Sequence, residues 1–373
     1  MPDAGTETNT EAAAIRPQPG SADTEALRSE PMDTKAPCSE PTGTEALHPG
    51  PTGTKPPHPE PTGTKALRPA HTDTAPLHPE FARLAAARRI MAVRGSTGSL
   101  TEDRANAERW IARFGGAVDP ADGAAVEAGP HGVTVRPAGE DPDSPWVVYI
   151  HGGGMVYYST AVFQPFLRTL AGTLRAPVDA YDYPKAPEHT VEESVGLLAD
   201  RIAARCRTLT DRPIVLAGDS VGGLLALYLS LRVLPGAFAR VVLLYPVLDL
   251  RTERASYGAF GEGHFLDRDA MRLFTSFLEP FFSERDFDPM RLGDRDLARL
   301  PDCSIVTAGH DVLRDEGLAW AELMAARSPG LRHRHFPDLP HDFCLYAGRL
   351  ASAGSAVAEI AGTAFPLTEQ GLS

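Results

Sequence analysis

The stretch Pro213-Ile214-Val215-Leu216-Ala217-Gly218-Asp219-Ser220-Val221-Gly222-Gly223-Leu224-Leu225-Ala226-Leu227-Tyr228 decides how the chain is read. An apolar, partly β-branched run ends at Gly218, and an apolar helical pattern starts just after Ser220. Between them, Gly218 to Gly222 fits G-x-S-x-G, a strand–turn–helix that lifts a serine hydroxyl above a sheet. Glycines are needed because side chains beside Ser220 would clash in so tight a turn. The helix that follows aims its N-terminus at the hydroxyl and favours developing negative charge there. The five-residue pattern alone is common by chance. Its place between a strand and a helix makes Ser220 a candidate nucleophile.

Upstream, Trp146-Val147-Val148-Tyr149-Ile150 reads as a strand that runs into His151-Gly152-Gly153-Gly154. Bare backbone in such a loop can approach a substrate carbonyl closely. Gly152 and Gly153 are expected to donate to an oxyanion, joined by the N–H of Val221. His151 stands in the wrong part of the fold to be the base and is expected to pin the glycine loop by hydrogen bonds. No G-x-x-x-x-G-K-[ST] or G-x-G-x-x-G is present, so the glycines do not read as a phosphate cradle.

Acyl transfer also needs a base and an acid to orient it. Asp311 follows the strand-like run from Cys303 to Gly309, and His341 follows the run from Leu331 to Pro337. The order Ser220, Asp311, His341 is the one this strand–turn–helix arrangement uses. Both partners fall just beyond strand C-termini, where open α/β sheets bind ligands. His341 would take the Ser220 proton and later protonate the leaving group, while Asp311 fixes its tautomer. Asp315 and Glu316 are rival acids. One turn into the next helix, they read better as N-terminal helix charges. His333 and His335, which alternate in a strand, and His264 read as surface or packing histidines.

The remaining runs, GVTVRP, APVDAY and RVVLLYP among them, alternate with helix-length stretches at about 161–175, 189–207 and 221–235. Strands buried on both faces between helices describe an α/β, mostly parallel sheet. Two helices open the domain. One places Phe81, Leu84 and Ala85 on a single face. The other starts at a Ser99–Glu102 capping box and repeats Ala107, Trp110, Ile111 and Phe114 at helical spacing.

Residues 1–80 differ in kind. They hold 15 of the 34 prolines and no aromatic residue, and a ten-residue unit recurs with Thr24, Thr34, Thr44, Thr54, Thr64 and Thr74 at its fourth place. Such units carry too little apolar surface to offset the entropy of ordering, so a disordered tail is expected over 1–80. Met32 offers a later start, whereas Met91 would cut into the first core helix. The globular part, 81–373, is large enough for one sizeable core.

A net charge of −13 argues against nucleic acid as a partner and against anionic membrane surfaces. The four cysteines form no C-x-x-C pair, so neither a disulfide scaffold nor a zinc site is expected. No run is long enough for a membrane span, and the N-terminus lacks a signal-peptide layout, so the expected location is cytoplasmic.

Taken together, HGGG, DYPKAPEHT (Asp182 to Thr190 within it), GDSVGG, HDVLRDEG and PHDF resemble the hormone-sensitive-lipase-like branch of the α/β-hydrolases, which includes bacterial carboxylesterases and acetylhydrolases. The resemblance covers about 81–350. It implies an α/β-hydrolase fold with a helical cap from about 81–125 and 250–300, where Phe265, Met271, Phe274 and Phe277 supply apolar lining. It implies Ser220, Asp311 and His341 as triad, Gly152, Gly153 and Val221 as oxyanion donors, and His151, Gly154 and Asp219 as supporting residues. It also implies that Glu188 braces the glycine loop.

Three positions depart from the family's pattern: Val221 stands where Ala is usual, Pro184-Lys185 replaces Arg-Leu, and Asp342 replaces Gly after the base. The implied activity is cleavage of carboxylic esters, short-chain or acetyl, through an acyl-enzyme on Ser220. No cofactor or metal is expected. The implied partner is a small-molecule ester, with homodimer pairing along a sheet edge. Three alternatives stay open: an amidase or peptidase, a dehydratase or cyclase of a secondary metabolite, and a non-catalytic small-molecule receptor.

Overall fold

The computed structural model describes residues 75–90, 98–116, 122–209 and 211–367, all within one compact unit, Leu67–Ser373. The repeat region expected to be disordered falls outside the described residues, apart from 75–80. Those last residues sit on the domain: Leu77 packs against the core, and the His78 N–H donates to the Asp338 carbonyl at 2.8 Å. The folded part therefore starts ahead of Phe81.

Helices α1 (Pro79–Ile90) and α2 (Leu100–Phe114) come first. Strands β1 (Ala125–Gly129), β2 (Gly132–Arg136) and β3 (Trp146–Ile150) follow, then α3 (Thr160–Leu174) and β4 (Val178–Tyr181). Next come α4 (Val191–Cys206), β5 (Ile214–Asp219), α5 (Val221–Tyr228) and β6 (Arg240–Leu244). Helices α6 (Ala255–Phe260), α7 (Arg268–Glu284) and α8 (Asp294–Leu297) form the long insertion before β7 (Asp302–His310). The chain ends with α9 (Arg314–Ala325), β8 (Arg332–Pro340) and α10 (Ala351–Ala364).

The eight strands make one sheet in the order β1-β2-β4-β3-β5-β6-β7-β8. From β4 to β8 every pairing is parallel, and β2 joins β4 antiparallel. Alternation along the strands splits the core into two layers. Val148, Ile150, Leu216 and Leu243 meet α4, α5, α7 and α9. Tyr149, Val215, Ala217 and Leu244 meet α1, α2, α3 and α10. Strands covered on both faces need no polar alternation, and every residue of β3, β5 and β6 is buried.

β1 is the strand that sequence patterning does not foresee. It is a short edge strand, AVEAG, with none of its residues buried, so it leaves almost no apolar signature. Local capping signals are seen elsewhere. Ser99 caps α2 by accepting from the Glu102 N–H at 3.4 Å, and Thr190 with Glu193 forms a full capping box on α4.

The two segments expected to build a cap divide between the layers. Phe265 meets Phe81 and Tyr346 edge-on, whereas Met271 and Phe274 of α7 belong to the layer that holds α5. Among the described residues, no helix is long and apolar enough to cross a membrane.

Candidate active site

Three parallel strands deliver three side chains to one point. Ser220 follows β5 directly, with φ 54 and ψ −121. A non-glycine residue in that region is strained, and such strain persists only where the surroundings enforce it. Here the Ser220 N–H donates to the Leu244 carbonyl at 2.9 Å, and its own carbonyl accepts from the Val247 N–H at 3.1 Å. A Cβ on Gly218 would run into the Gly222 carbonyl, and one on Gly222 into the Ile150 carbonyl. The glycines are there because backbone passes within touching distance.

Asp311 leaves β7 and His341 leaves β8. His341 Nδ1 lies 2.7 Å from Asp311 Oδ2, and Nε2 lies 3.1 Å from Ser220 Oγ. Asp311 Oδ1 accepts from the Leu313 N–H at 2.9 Å, so the carboxylate is held at both oxygens. The Tyr245 ring meets the imidazole edge-on at 5.0 Å. All three site side chains are buried. Burial works against a charged imidazole, yet Asp311 and Asp342 outweigh it and raise the His341 pKa to about 9.

The glycine loop corrects one expectation. The Gly152 N–H donates to Asp219 Oδ1 at 2.8 Å and is therefore not free to serve an oxyanion. Among the described residues, the N–H groups of Gly153, Gly154 and Val221 have no such acceptor. The available donors are thus Gly153, Gly154 and Val221. Gly154 also receives the cap, since a Cβ there would run into the Phe274 ring.

Asp219 is more than a neighbour of the nucleophile. Its Oδ1 also accepts from the Tyr149 hydroxyl at 2.6 Å, and burial, aided by Asp342, lifts its pKa to about 7. His151 is buried, stacks on Tyr183 at 4.4 Å, and lies with Nδ1 2.7 Å from the Gly152 carbonyl. Burial lowers its pKa to about 4, so the ring is neutral and Nδ1–H donates. The Tyr183 hydroxyl donates to the His151 carbonyl at 2.9 Å and tightens the same turn.

Glu188 reaches the loop only at one remove. It is half exposed and pairs with Arg104 of α2 through both oxygens at 2.8 Å. The hydrogen bond from Arg104 lowers its pKa to about 2. Arg104 itself donates to the Val156 carbonyl at 2.8 Å and the Ala186 carbonyl at 2.7 Å. The brace is Arg104, and Glu188 orients it.

Glu316 is not an outward helix charge, as its place in the first turn of α9 suggested. It is fully buried and accepts from the Leu248 N–H at 2.7 Å and the Asp249 N–H at 3.2 Å. Burial raises its pKa to about 8. Asp315 pairs with Arg314 and accepts from the Ser256 N–H, so neither rival takes the place of Asp311. His333 and His335 both meet Thr307 Oγ1, and His264 packs on Phe260 and His310.

Tyr149, Tyr183 and Arg104 escaped sequence reasoning. The one available signal was Tyr149, a hydroxyl inside an otherwise apolar strand, which requires a buried acceptor.

Comparison with known proteins bears on the fold and the family. A family model described as alpha/beta hydrolase fold matches residues 147–345. The chain is 29% identical over 222 residues to an alpha/beta hydrolase of Acanthamoeba polyphaga mimivirus, covering 57% of this chain and 64% of that protein, just under two thirds of its length. It is 30% identical over 231 residues to carboxylesterase NlhH of Mycobacterium tuberculosis, covering 57% of this chain and 70% of that one. A thermostable esterase from Pseudomonas putida superposes with a TM-score of 0.66 over 79% of this chain and 99% of its own. At 24% identity this last likeness is one of fold alone.

Proposed function

The chain belongs to the hormone-sensitive-lipase-like branch of the α/β-hydrolases, and we propose that it cleaves carboxylic esters with short acyl groups, acetyl foremost, through an acyl-enzyme on Ser220. The observation that carries this reading is the buried line from Ser220 Oγ through His341 to Asp311, with contacts of 3.1 and 2.7 Å.

Ser220 Oγ attacks the ester carbonyl carbon as its proton passes to His341 Nε2. The carbonyl oxygen becomes an oxyanion and receives the N–H groups of Gly153, Gly154 and Val221. The intermediate collapses, the alcohol departs with the proton from Nε2, and an ester remains on Ser220. Water then attacks the acyl carbon and gives its proton to Nε2. The second collapse releases the carboxylic acid and returns a proton to Oγ. Asp311 holds the Nδ1–H throughout and stabilises the imidazolium of each step.

Short acyl groups are favoured by crowding. Val221 carries a branched, fully buried side chain where the family usually has Ala, and Phe274 is pressed against Gly154. A cytoplasmic location and pairing of two copies along the edge strand β8 belong to the same reading. Cell fractionation and sedimentation velocity test them.

The direct test is initial rates on p-nitrophenyl acetate, butyrate, octanoate and laurate, with Ser220→Ala beside wild type. Turnover that peaks at the short chains and vanishes in Ser220→Ala is the expected result. Equal, slow rates in both proteins would end the acyl-enzyme reading and move the amidase, dehydratase and receptor readings forward.

A further inference from the structure

His341 stands between two carboxylates. Asp311 holds Nδ1, and Asp342 reaches the opposite end of the ring, its Oδ1 3.4 Å from Nε2. Nε2 is the atom that faces Ser220 Oγ. The Asp342 side chain is 15% exposed, so it is largely withdrawn from bulk water. Its 3.4 Å contact is too long for a strong charge-assisted hydrogen bond. Among the described residues no closer donor meets it, and leaving a carboxylate so placed is costly.

The backbone sharpens the point. Asp342 has φ 61, in the left-handed region. Glycine adopts that region freely and aspartate tolerates it. Glycine, the usual residue of the pattern here, would serve the backbone as well, so the turn does not explain the carboxylate.

The charges around it are of both signs. Asp311, from the β7 end, and Asp219, from the β5 end, join Asp342 in their action on His341. Burial pushes the Asp342 carboxyl up; His341 itself, and after it Arg88 of α1, are the opposing charges that it feels, and the Arg88 guanidinium donates to the Phe265 carbonyl at 3.0 Å. The leaving-group oxygen must approach Nε2 to collect its proton. Substituents on the alcohol therefore pass beside Asp342.

We propose that Asp342 makes the alcohol side of this site selective for esters whose leaving group carries a cation, an alkylammonium above all. The proposal rests on the ester-hydrolase reading. Asp342 takes no part in bond making. It is a specificity-determining residue, and the charge it offers is complementary to an ammonium group a few ångströms beyond the scissile oxygen.

The test compares acetylcholine with 3,3-dimethylbutyl acetate, its neutral isostere, in wild type, Asp342→Asn and Asp342→Gly at pH 8.5. Both substitutes accept φ 61, so the turn survives. Wild type should favour the cation in kcat/KM by about tenfold, and the preference should shrink as salt is added. Either substitution should bring the ratio close to one. A wild-type ratio near one, or a ratio unchanged by both substitutions, overturns the proposal. Calorimetric binding of choline and of 3,3-dimethylbutanol to the same three proteins repeats the comparison without turnover. A protein that cleaves no ester but still binds choline through Asp342 would fail the hydrolase reading alone, and one that cleaves both esters without a charge preference would fail the present proposal alone.

Discussion

The Gly152 N–H donates to Asp219 Oδ1 at 2.8 Å, so the residue before the nucleophile holds the first turn of the glycine loop. The Tyr149 hydroxyl, one strand away, meets the same oxygen. One buried carboxylate thus fixes the distance between the serine turn and the loop that carries the free N–H groups.

Asp219→Asn keeps an oxygen for both donors, while Asp219→Ala removes it and leaves two buried donors unpaired. Each orphaned group costs about 1–3 kcal/mol. We expect Asp219→Ala to lower kcat by about 10²-fold, in the range of a lost oxyanion-hole donor, with KM little changed. Asp219→Asn should keep most of the activity. Steady-state kinetics on p-nitrophenyl acetate decides it, and equal losses in the two variants would mean that charge matters more than the hydrogen bonds.

Much of this was legible in the sequence for a physical reason. The strand–turn–helix around Ser220 needs glycines where backbones touch, and parallel strands need unbroken apolar runs, so both leave strong local marks. β1 left none, because an exposed edge strand can be built from almost any residues. The glycine loop is legible as the source of oxyanion donors, but its expected pair, Gly152 and Gly153, includes one N–H that Asp219 occupies. Which of them is free depends on Asp219, far away along the chain, and no local pattern records that contact. Glu316 escapes sequence patterning for a similar reason. An acidic residue in the first turn of a helix usually faces water, but this one turns inward to satisfy two N–H groups of the β6 loop.

Glu316 gives a prediction about stability. Its pKa rises from the ordinary 4.5 to about 8, chiefly through burial. A group raised in the folded state stabilises fully below its unfolded value and loses that contribution as pH rises through the folded one. Wild type should therefore lose stability between about pH 5 and pH 9 through this group, and Glu316→Gln, which cannot ionise but keeps the acceptor, should lose less. Glu316→Ala strands the Leu248 N–H and should cost about 1–3 kcal/mol at pH 6, a deficit that shrinks towards pH 9 as wild type loses the contribution of this group. Urea unfolding of the three proteins at pH 6 and pH 9 separates these outcomes.

Arg104 and Glu188 form a pair whose members should not be equal. Glu188 is half exposed, and an ion pair so placed is worth about 0–1 kcal/mol. Arg104 also caps the carbonyls of Val156 and Ala186. Arg104→Met should therefore cost about 1–3 kcal/mol, clearly more than Glu188→Gln. Thermal melts measure the difference. A Glu188→Gln loss as large as that of Arg104→Met would return Glu188 to the role of direct brace.

The base itself predicts the pH profile. His341 must be neutral to accept the Ser220 proton, and its pKa stands near 9 because Asp311 and Asp342 overcome the opposing effect of burial. The acid limb of kcat/KM should thus rise tenfold per pH unit and level off near pH 9, well above the ordinary histidine range. Asp311→Asn removes the charge that lies 2.7 Å from Nδ1, so the limb should move to lower pH. The same change lets the ring settle in the wrong tautomer, and kcat should fall by about 10⁴-fold. The two effects point in opposite directions at low pH, which makes them separable: the whole curve drops while its midpoint moves down. A drop with no movement of the midpoint would mean that Asp311 orients His341 without setting its charge, and would leave the field at the ring to Asp342 and Asp219.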